Sequence, residues 1–147
     1  MLRVTVERFI AAPPEDVFRW LNDSSNYTRS TLTLREKRTK DGAEAPYGTG
    51  AVREVTGVGA WFREVITAYD EGRSFEYRIV KSIPGIDHEG GRILVEPTSG
   101  GSHVTWTSAG SHPRAWGGSA LGKVTEPLLR LAFRQILDAC EQDLTGP

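Results

Sequence analysis

The chain has 147 residues, three histidines, one cysteine and a formal net charge of −1. This length suits one domain with a sizeable core, and the balanced charge gives no basic field that would attract a phosphate backbone, so nucleic acid is not an expected partner. No apolar run approaches the ~20 residues that cross a bilayer, and residues 2–10 alternate with charges, unlike the apolar segment of a signal peptide, so we expect a cytoplasmic protein that does not insert into membranes. A single cysteine excludes an intramolecular disulfide.

The first predicted elements are a strand and a helix. Between residues 2 and 10, apolar side chains alternate with polar or charged ones, which is typical of a half-buried strand. Residues 11–16 (AAPPED) then favour a helix start, because proline presets φ for the first turn. The carboxylates of Glu15 and Asp16 would face the positive end of the helix dipole. Another short helical turn is predicted to follow through Tyr27.

From Ser30 onward, apolar and polar residues alternate with a period of two, and glycine-containing turns interrupt the pattern. Strands are predicted at residues 31–39, 50–57, 61–69, 73–82, 91–97 and 103–111. Together with the first strand they would form a seven-stranded antiparallel meander. The basic run at residues 35–40 is expected to be a solvated edge of this sheet.

The longest helical pattern spans residues 119–144, and apolar side chains occupy more than half of its circumference. A helix on a flat sheet needs an apolar stripe of only roughly 100°, so this one is expected to be gripped from both sides by a curved sheet. Pro127 lies within the pattern and predicts either a kink or the first position of the regular helix. Cys140 falls on the apolar face, where an inert core residue is expected.

A strand, a helix that opens with Pro-Pro-Glu-Asp-Val-Phe, a glycine-punctuated meander and a long C-terminal amphipathic helix together resemble the START-like (SRPBCC) superfamily. Residues 11–23 (AAPPEDVFRWLND), 68–78 (AYDEGRSFEYR) and 100–107 (GGSHVTWT) are similar to its polyketide cyclase/dehydratase and lipid-transport branch. The resemblance covers residues 1–147 as a single domain. It implies an α+β helix-grip fold, in which a seven-stranded curved antiparallel sheet wraps around the long C-terminal helix, with one or two short helices between the first two strands.

The resemblance also implies a cavity between the sheet and the long helix that accepts a hydrophobic or aromatic molecule. Members often carry a tryptophan shortly after the tyrosine that follows the first helices, whereas Tyr27 is followed by residues 28–31 (TRST), so the pocket edge there is expected to differ. Strand parity indicates which side chains face the cavity, because residues two apart share one face of a strand. The predicted ligand-binding residues are Trp61, Phe62, Phe75, Tyr77, Ile79, Ile93, Val95, Trp106, Ser108, Leu128 and Ala132.

Three polar residues, Glu64, Tyr77 and His112, are candidates for a catalytic role in proton transfer. Glu64 is predicted to point inward, but a glutamate in the middle of a sheet is more often solvent-facing or paired with a neighbour such as Arg53 or Arg78. Tyr77 is alternatively a core aromatic whose hydroxyl finds one partner. His112 shares the inward phase of its strand and is alternatively an exposed loop residue.

The other two histidines and one tryptophan are weaker candidates. His88 lies in residues 83–91, a segment that could cover the cavity entrance, and a solvated turn is the favoured interpretation for it. His103 is predicted to face outward. Trp116 either holds its loop to the start of the long helix or lies at the entrance, and the sequence does not choose between these.

The sequence contains no glycine-rich phosphate loop before a helix, no paired-histidine metal spacing and no nucleophile elbow, so we expect neither a metal nor a cofactor. The first hypothesis is a carrier or sensor that binds a lipid-like or polyketide-like molecule. The alternative is an enzyme resembling polyketide cyclases or dehydratases, with Glu64, Tyr77 or His112 transferring a proton. A protein-interaction role like that of the superfamily's ATPase-activating stress proteins ranks last. A monomer and a homodimer both remain open.

Overall fold

The computed structural model describes residues 1–146, so the last position of the predicted 1–147 domain, Pro147, lies outside the described residues. The strand β1 (Leu2–Ile10) is followed by the helix α1 (Pro14–Asn22) and a short 3-10 helix (Ser24–Arg29). Six strands follow: β2 (Thr33–Lys40), β3 (Val52–Gly57), β4 (Ala60–Asp70), β5 (Ser74–Ile83), β6 (Asp87–Thr98) and β7 (Gly101–Ser111). A 3-10 turn (Arg114–Trp116) then leads into the helix α2 (Gly118–Thr145).

The seven strands form one antiparallel sheet in the order β1-β7-β6-β5-β4-β3-β2. Register shifts interrupt the pairing of β2 with β3, of β4 with β5 and of β6 with β7. Such irregularities bend a strand and increase its twist, which lets the sheet curl towards the helices. The predicted fold, a curved seven-stranded antiparallel sheet with a long C-terminal helix and short helices between the first two strands, is confirmed.

The core lies between the concave face of the sheet, α1 and the second half of α2. Inward-facing residues alternate along the strands, as in β7, where Val104 and Trp106 are buried. Phe18 of α1 packs edge-on against Phe75 of β5, with ring centroids 6.0 Å apart. Cys140 is fully buried, and burial raises the pKa of its thiol to about 12, as expected for an inert core residue.

The fold buries α2 only in the second half of the helix. Its buried residues, Phe133, Ile136, Leu137 and Cys140, all lie in its second half. In the first half, Val124 is 56% exposed and Leu128 is 50% exposed. Apolar side chains of this half line a cleft instead of packing against other side chains. Pro127 lies inside the helix, not at its first position.

Polar contacts hold the second half of α2 in place. Arg8 of β1 forms ion pairs with Asp138 and Glu141. Trp20 of α1 donates from its indole nitrogen to a carboxylate oxygen of Asp143 over 2.8 Å. Within the described chain, the first half of α2 has fewer such ties, chiefly the contacts that His112 and the backbone of Arg3 make with it. Across residues 1–146, no helix is long and apolar enough to cross a membrane.

Candidate functional site

A cleft of two connected chambers lies between the sheet and α2. The inner chamber has a volume of about 90 Å³ and reaches the middle of the sheet, and the outer chamber has a volume of about 220 Å³ and runs along the first half of α2. The two chambers adjoin, because six residues line both of them: Leu32, Gly57, Phe62, Ile86, Leu129 and Ala132. Its walls are mostly apolar, which is typical of small-molecule sites.

An ion pair between Arg53 and Glu64 forms the polar end of the inner chamber. The two residues face each other in the register of β3 and β4, and Arg53 Nε lies 2.8 Å from Glu64 Oε1. Only 1% of the surface of Arg53 is exposed. Burial acts to lower the pKa of its guanidinium, but the charge of Glu64 and the neighbouring phenols outweigh burial and hold the pKa above its usual value. Glu64 thus both faces the chamber and pairs with Arg53.

Three aromatic rings surround this guanidinium. Its Cζ atom lies 5.5 Å from the ring centroid of Tyr27, 5.8 Å from that of Phe75 and 5.3 Å from that of Tyr77. Rings at such distances attract a cation through their electron-rich faces. The Tyr27 hydroxyl donates its hydrogen to the backbone oxygen of Leu21 over 2.7 Å.

One nitrogen of the Arg53 guanidinium makes no hydrogen bond with the residues that the structure describes. Within residues 1–146, Arg53 Nη1 is buried and has no hydrogen-bond partner. Buried polar groups are nearly always hydrogen-bonded, and each exception calls for an explanation such as a water or a ligand. Sequence reasoning missed Arg53 as an inward residue. The register with Glu64 is the signal that could have found it, since directly paired residues of neighbouring strands share one face.

A second polar group surrounds Tyr77. Trp106 Nε1 donates to the Tyr77 hydroxyl oxygen over 3.0 Å, and Ser108 lines the same chamber. Burial first, and the charge of Glu64 second, raise the pKa of Tyr77 to about 12. Gly91 faces this ring on β6, and a Cβ atom there would lie 2.2 Å from it. Glycine is therefore what allows the Tyr77 ring to lie flat across the neighbouring strand.

His88 belongs to the same group, so the interpretation of a solvated turn is wrong. It lies within β6, is buried, and stacks on Tyr77 with ring centroids 5.7 Å apart. Ile79 N–H donates to its Nδ1 over 2.9 Å, and its Nε2 lies 2.7 Å from Ser108 Oγ. Burial, followed by the charge of Arg78, lowers the pKa of His88 to about 4.

His112 is also buried, which contradicts the exposed-loop alternative. It lines the outer chamber and not the inner one. Its Nδ1 lies 2.7 Å from the Gly85 carbonyl oxygen, and its Nε2 lies 2.8 Å from Thr125 Oγ1. His112 thus joins the loop between β5 and β6 to the first half of α2. The structure brings Glu64 and Tyr77 together in one chamber and leaves His112 outside it.

The predicted ligand-binding residues line one of the two chambers, lie in the core or face away from the cleft. Those that line the inner chamber are Phe62, Tyr77, Ile79, Trp106, Ser108 and Ala132, and Leu128 lines the outer chamber. Phe75, Ile93 and Val95 are buried core residues that reach neither chamber. Trp61 is misplaced by the prediction, because it occupies the opposite face of β4 from Phe62, where the Arg63 guanidinium carbon lies 5.4 Å from its ring centroid.

A family model described as "Polyketide cyclase / dehydrase and lipid transport" matches residues 1–145. No curated protein matches the sequence. The solved structure of TTHA0849 from Thermus thermophilus is similar, with a TM-score of 0.78 and 18% identity over 97% of this chain and 96% of that one. CV1439 from Chromobacterium violaceum has a TM-score of 0.66 and 18% identity over 100% of this chain and 99% of that one.

A further similar structure is that of DynU16, a protein in the dynemicin biosynthetic locus. The TM-score is 0.67 and the identity is 16%, over 98% of this chain and 48% of that one. At identities this low, each likeness shows the shared fold alone.

Proposed function

The chain belongs to the polyketide cyclase/dehydrase and lipid transport family, and from that premise we propose that it binds a hydrophobic or aromatic small molecule, lipid-like or polyketide-like, in the cleft between the sheet and α2. Family and fold suggest a hydrophobic ligand or a polyketide-related role. We infer the cleft as the binding site, and the residues that carry binding, from its shape and chemistry.

The observation that carries this proposal is an apolar cleft that ends at the buried ion pair of Arg53 and Glu64. The Glu64 side chain keeps 10% of its surface exposed on the wall of the inner chamber, so a polar atom of a bound molecule can meet the pair there. The rest of the inner wall is dominated by aromatic and aliphatic side chains, such as Trp106, which stacks on Phe133 with ring centroids 4.1 Å apart. Apolar walls supply affinity and a few polar groups fix orientation, as in most small-molecule sites.

The outer chamber offers the route of entry. Val58 on the turn between β3 and β4, together with Val124 and Leu128 on α2, lines this chamber and is at least half exposed. A ligand in the cleft would cover this apolar surface, and burial of apolar area contributes about 25 cal/mol per Å². Ala132 lines both chambers and lies at the passage between them.

One observation favours an enzyme as the second candidate: Glu64 and Tyr77 line the same chamber. The ion pair of Glu64 and the protonation state of Tyr77 limit the roles that these two residues can play. Glu64 is paired with Arg53, and the pKa of Tyr77 is raised to about 12, so the phenol keeps its proton at neutral pH and acts as an acid or hydrogen-bond donor, not as a base. His112 would act only on a group in the outer chamber.

Filling the passage tests the binding proposal. Ala132→Trp places an indole between the chambers, and Arg134→Trp places the same ring on the exposed face of α2 as a matched control. Titration with the neutral dye Nile red should give saturable binding to the wild type and to Arg134→Trp, and at least about tenfold weaker binding to Ala132→Trp. Equal affinity of the two variants, both folded by circular dichroism, would place the dye elsewhere and overturn the proposal.

A further inference from the structure

The two ends of the sheet differ in charge. At one end, three segments frame the opening of the outer chamber, and we call them the mouth: residues 57–60, 81–86 and 111–125. They contain neither an aspartate nor a glutamate, and their basic residues are Lys81, Arg114 and Lys123. The segments at the other end contain seven acidic residues and two basic ones: residues 11–23, 41–51, 70–73 and 99–100. The mouth is therefore positive and the opposite end is negative.

The three cations of the mouth are exposed, and none of them forms an ion pair with another residue in the stretch 1–146. Two carboxylates border the mouth. Asp87 follows its second segment and is exposed, and Glu126 follows its third. The Glu126 carboxylate accepts from the backbone N–H of Arg3 over 2.9 Å and lies 3.9 Å from Arg130 Nη2. The cations of the mouth are thus available to an outside partner.

Apolar side chains project from the same mouth. Four of these residues are at least 48% exposed: Val58, Ile83, Trp116 and Val124. Val58 occupies the turn between β3 and β4, and Ile83 ends β5. The Trp116 ring lies against the backbone of Gly85, where a Cβ atom would meet the indole nitrogen at 2.6 Å. This contact holds the indole at the mouth, and about half of the residue stays in water.

Exposed apolar side chains among free cations are typical of proteins that lie on an anionic bilayer. Basic residues are attracted to anionic headgroups, and tryptophan favours the boundary between headgroups and acyl chains. A second copy of the chain fits poorly, because two positive mouths would repel each other. A rigid protein face also fits poorly, since the apolar side chains stand around an open cleft and form no flat patch. A fluid bilayer deforms around such projections.

We propose that the mouth is a docking surface for an anionic lipid bilayer. The cations meet the headgroups, and the apolar side chains enter the interface. The same bilayer repels the acidic opposite end, so the protein is oriented with its mouth towards the membrane. The contact is peripheral and is made by loop tips and one helix face. It goes beyond the proposed function, because a hydrophobic ligand dissolved in the bilayer would reach the outer chamber without crossing water.

Vesicle flotation tests the docking. The wild type should bind vesicles of phosphatidylcholine with about 30 mol% phosphatidylglycerol at least about tenfold more tightly than vesicles of phosphatidylcholine alone. About 1 M NaCl should abolish most of this difference, because the Debye length falls to about 3 Å. Equal binding to both compositions, or binding to neither, would overturn the proposal. Binding to polyglutamate without binding to vesicles would identify an acidic protein as the partner and would also overturn it.

Charge reversal tests where the vesicles bind. Lys81→Glu/Arg114→Glu/Lys123→Glu should weaken binding to the anionic vesicles at least about tenfold. The control changes the net charge equally by reversing three exposed cations at the opposite end, Arg19, Lys40 and Arg73, and it should weaken binding far less. Equal losses in the two variants would show an effect of net charge alone and contradict the proposal.

Titration with Nile red separates this proposal from the proposed function. None of the three mouth cations lines either chamber, so the mouth variant should bind the dye as the wild type does. A wild type that binds the dye but no vesicles would overturn the docking surface and leave the proposed function standing. If the mouth variant does not fold, the salt dependence of the wild type still decides the role of charge.

Trp116 reports whether the mouth enters the interface. Its fluorescence emission should shift to shorter wavelength when anionic vesicles are added, and Trp116→Phe, which keeps an apolar ring, should lose most of this shift. Val58→Ser/Ile83→Ser should weaken vesicle binding severalfold. Phe9→Ser removes a half-exposed ring at the opposite end of β1 and should leave vesicle binding unchanged. An identical shift in the wild type and in Trp116→Phe would contradict the proposed orientation.

Discussion

Arg53 and Glu64 meet across β3 and β4 with 2.8 Å between Nε and Oε1, and both face the inner chamber of the cleft. The guanidinium is almost entirely withdrawn from water and is enclosed by the rings of Tyr27, Phe75 and Tyr77. A buried pair of this kind contributes little net stability relative to apolar residues, but removal of one partner leaves the other charge unpaired. The pair is thus a costly feature of the core that also places polar groups at the inner end of the cleft.

Removal of one partner of this pair should destabilise the fold more than removal of both. Arg53→Met leaves the Glu64 carboxylate buried without its cation and should lower the free energy of unfolding by about 3–5 kcal/mol. The double variant Arg53→Met/Glu64→Met should recover most of that loss. Urea denaturation of Arg53→Met, Glu64→Met, the double variant and the wild type measures the coupling energy between the two charges. Additive losses in the double variant would show that the two charges are not coupled.

The stability of the protein should fall as the solution is acidified through the range set by His88. Its pKa is lowered in the folded state to about 4 from the usual 6.5. Below pH 6.5 the unfolded chain therefore takes up a proton that the folded chain still refuses, and stability is lost progressively until about pH 4. Below that pH, His88 adds no further change.

Urea denaturation at several pH values between about 7 and about 4 measures this slope, with His88→Gln as the comparison. The variant should lose stability less steeply over this interval than the wild type does. His103→Gln serves as the control, since that ring is partly exposed beside Glu7 on the outer face of the sheet. Parallel slopes for the wild type and His88→Gln would contradict a neutral, buried His88.

A methyl group at position 91 should displace the Tyr77 ring. The Cβ atom of Gly91→Ala would lie 2.2 Å from that ring, so the fold should lose about 1–3 kcal/mol and binding of Nile red should weaken. In a Tyr77→Ala background the same substitution should cost far less. Gly122→Ala is the matched control, because nothing lies within 4 Å of the added atom and alanine favours a helix. A similar cost for Gly91→Ala in both backgrounds would rule out the contact with Tyr77.

The inward aromatic residues should matter more for binding than an outward histidine on the same strand. Trp106→Ala removes the ring that stacks on Phe133 and lines the inner chamber, so the affinity for Nile red should fall by about tenfold or more. Tyr77→Ala should act in the same direction. His103→Ala should leave the affinity close to that of the wild type, and equal losses at positions 103 and 106 would contradict the assignment of the two faces of β7.

The sheet and the long helix were predictable because their periodicities are clear. Alternation in β5 and β7 also gave the correct inward face for Tyr77 and Trp106. The same logic gave no answer for β3, where Arg53 and Glu54 are adjacent charges between two valines, so neither face is more apolar. Only the pairing with β4 shows that Arg53 faces inward.

His88 and α2 show where local pattern is insufficient. The glycines near His88 suggested a loop, but β6 begins at Asp87, and a register shift next to His88 lets the strand continue. The wide apolar circumference of α2 indicated a helix gripped by the sheet, but it did not show that the first half faces the outer chamber. An apolar helix face fits a packed core or a ligand cleft equally well, and the sequence does not distinguish them.

The most direct test of ligand binding in the cleft is a crystal structure of the protein with Nile red. The fused rings of the dye should lie in the cleft between Phe62 and Leu129. A dye molecule found only on the outer face of the sheet, or a cleft closed by repacked side chains in the presence of saturating dye, would contradict the account.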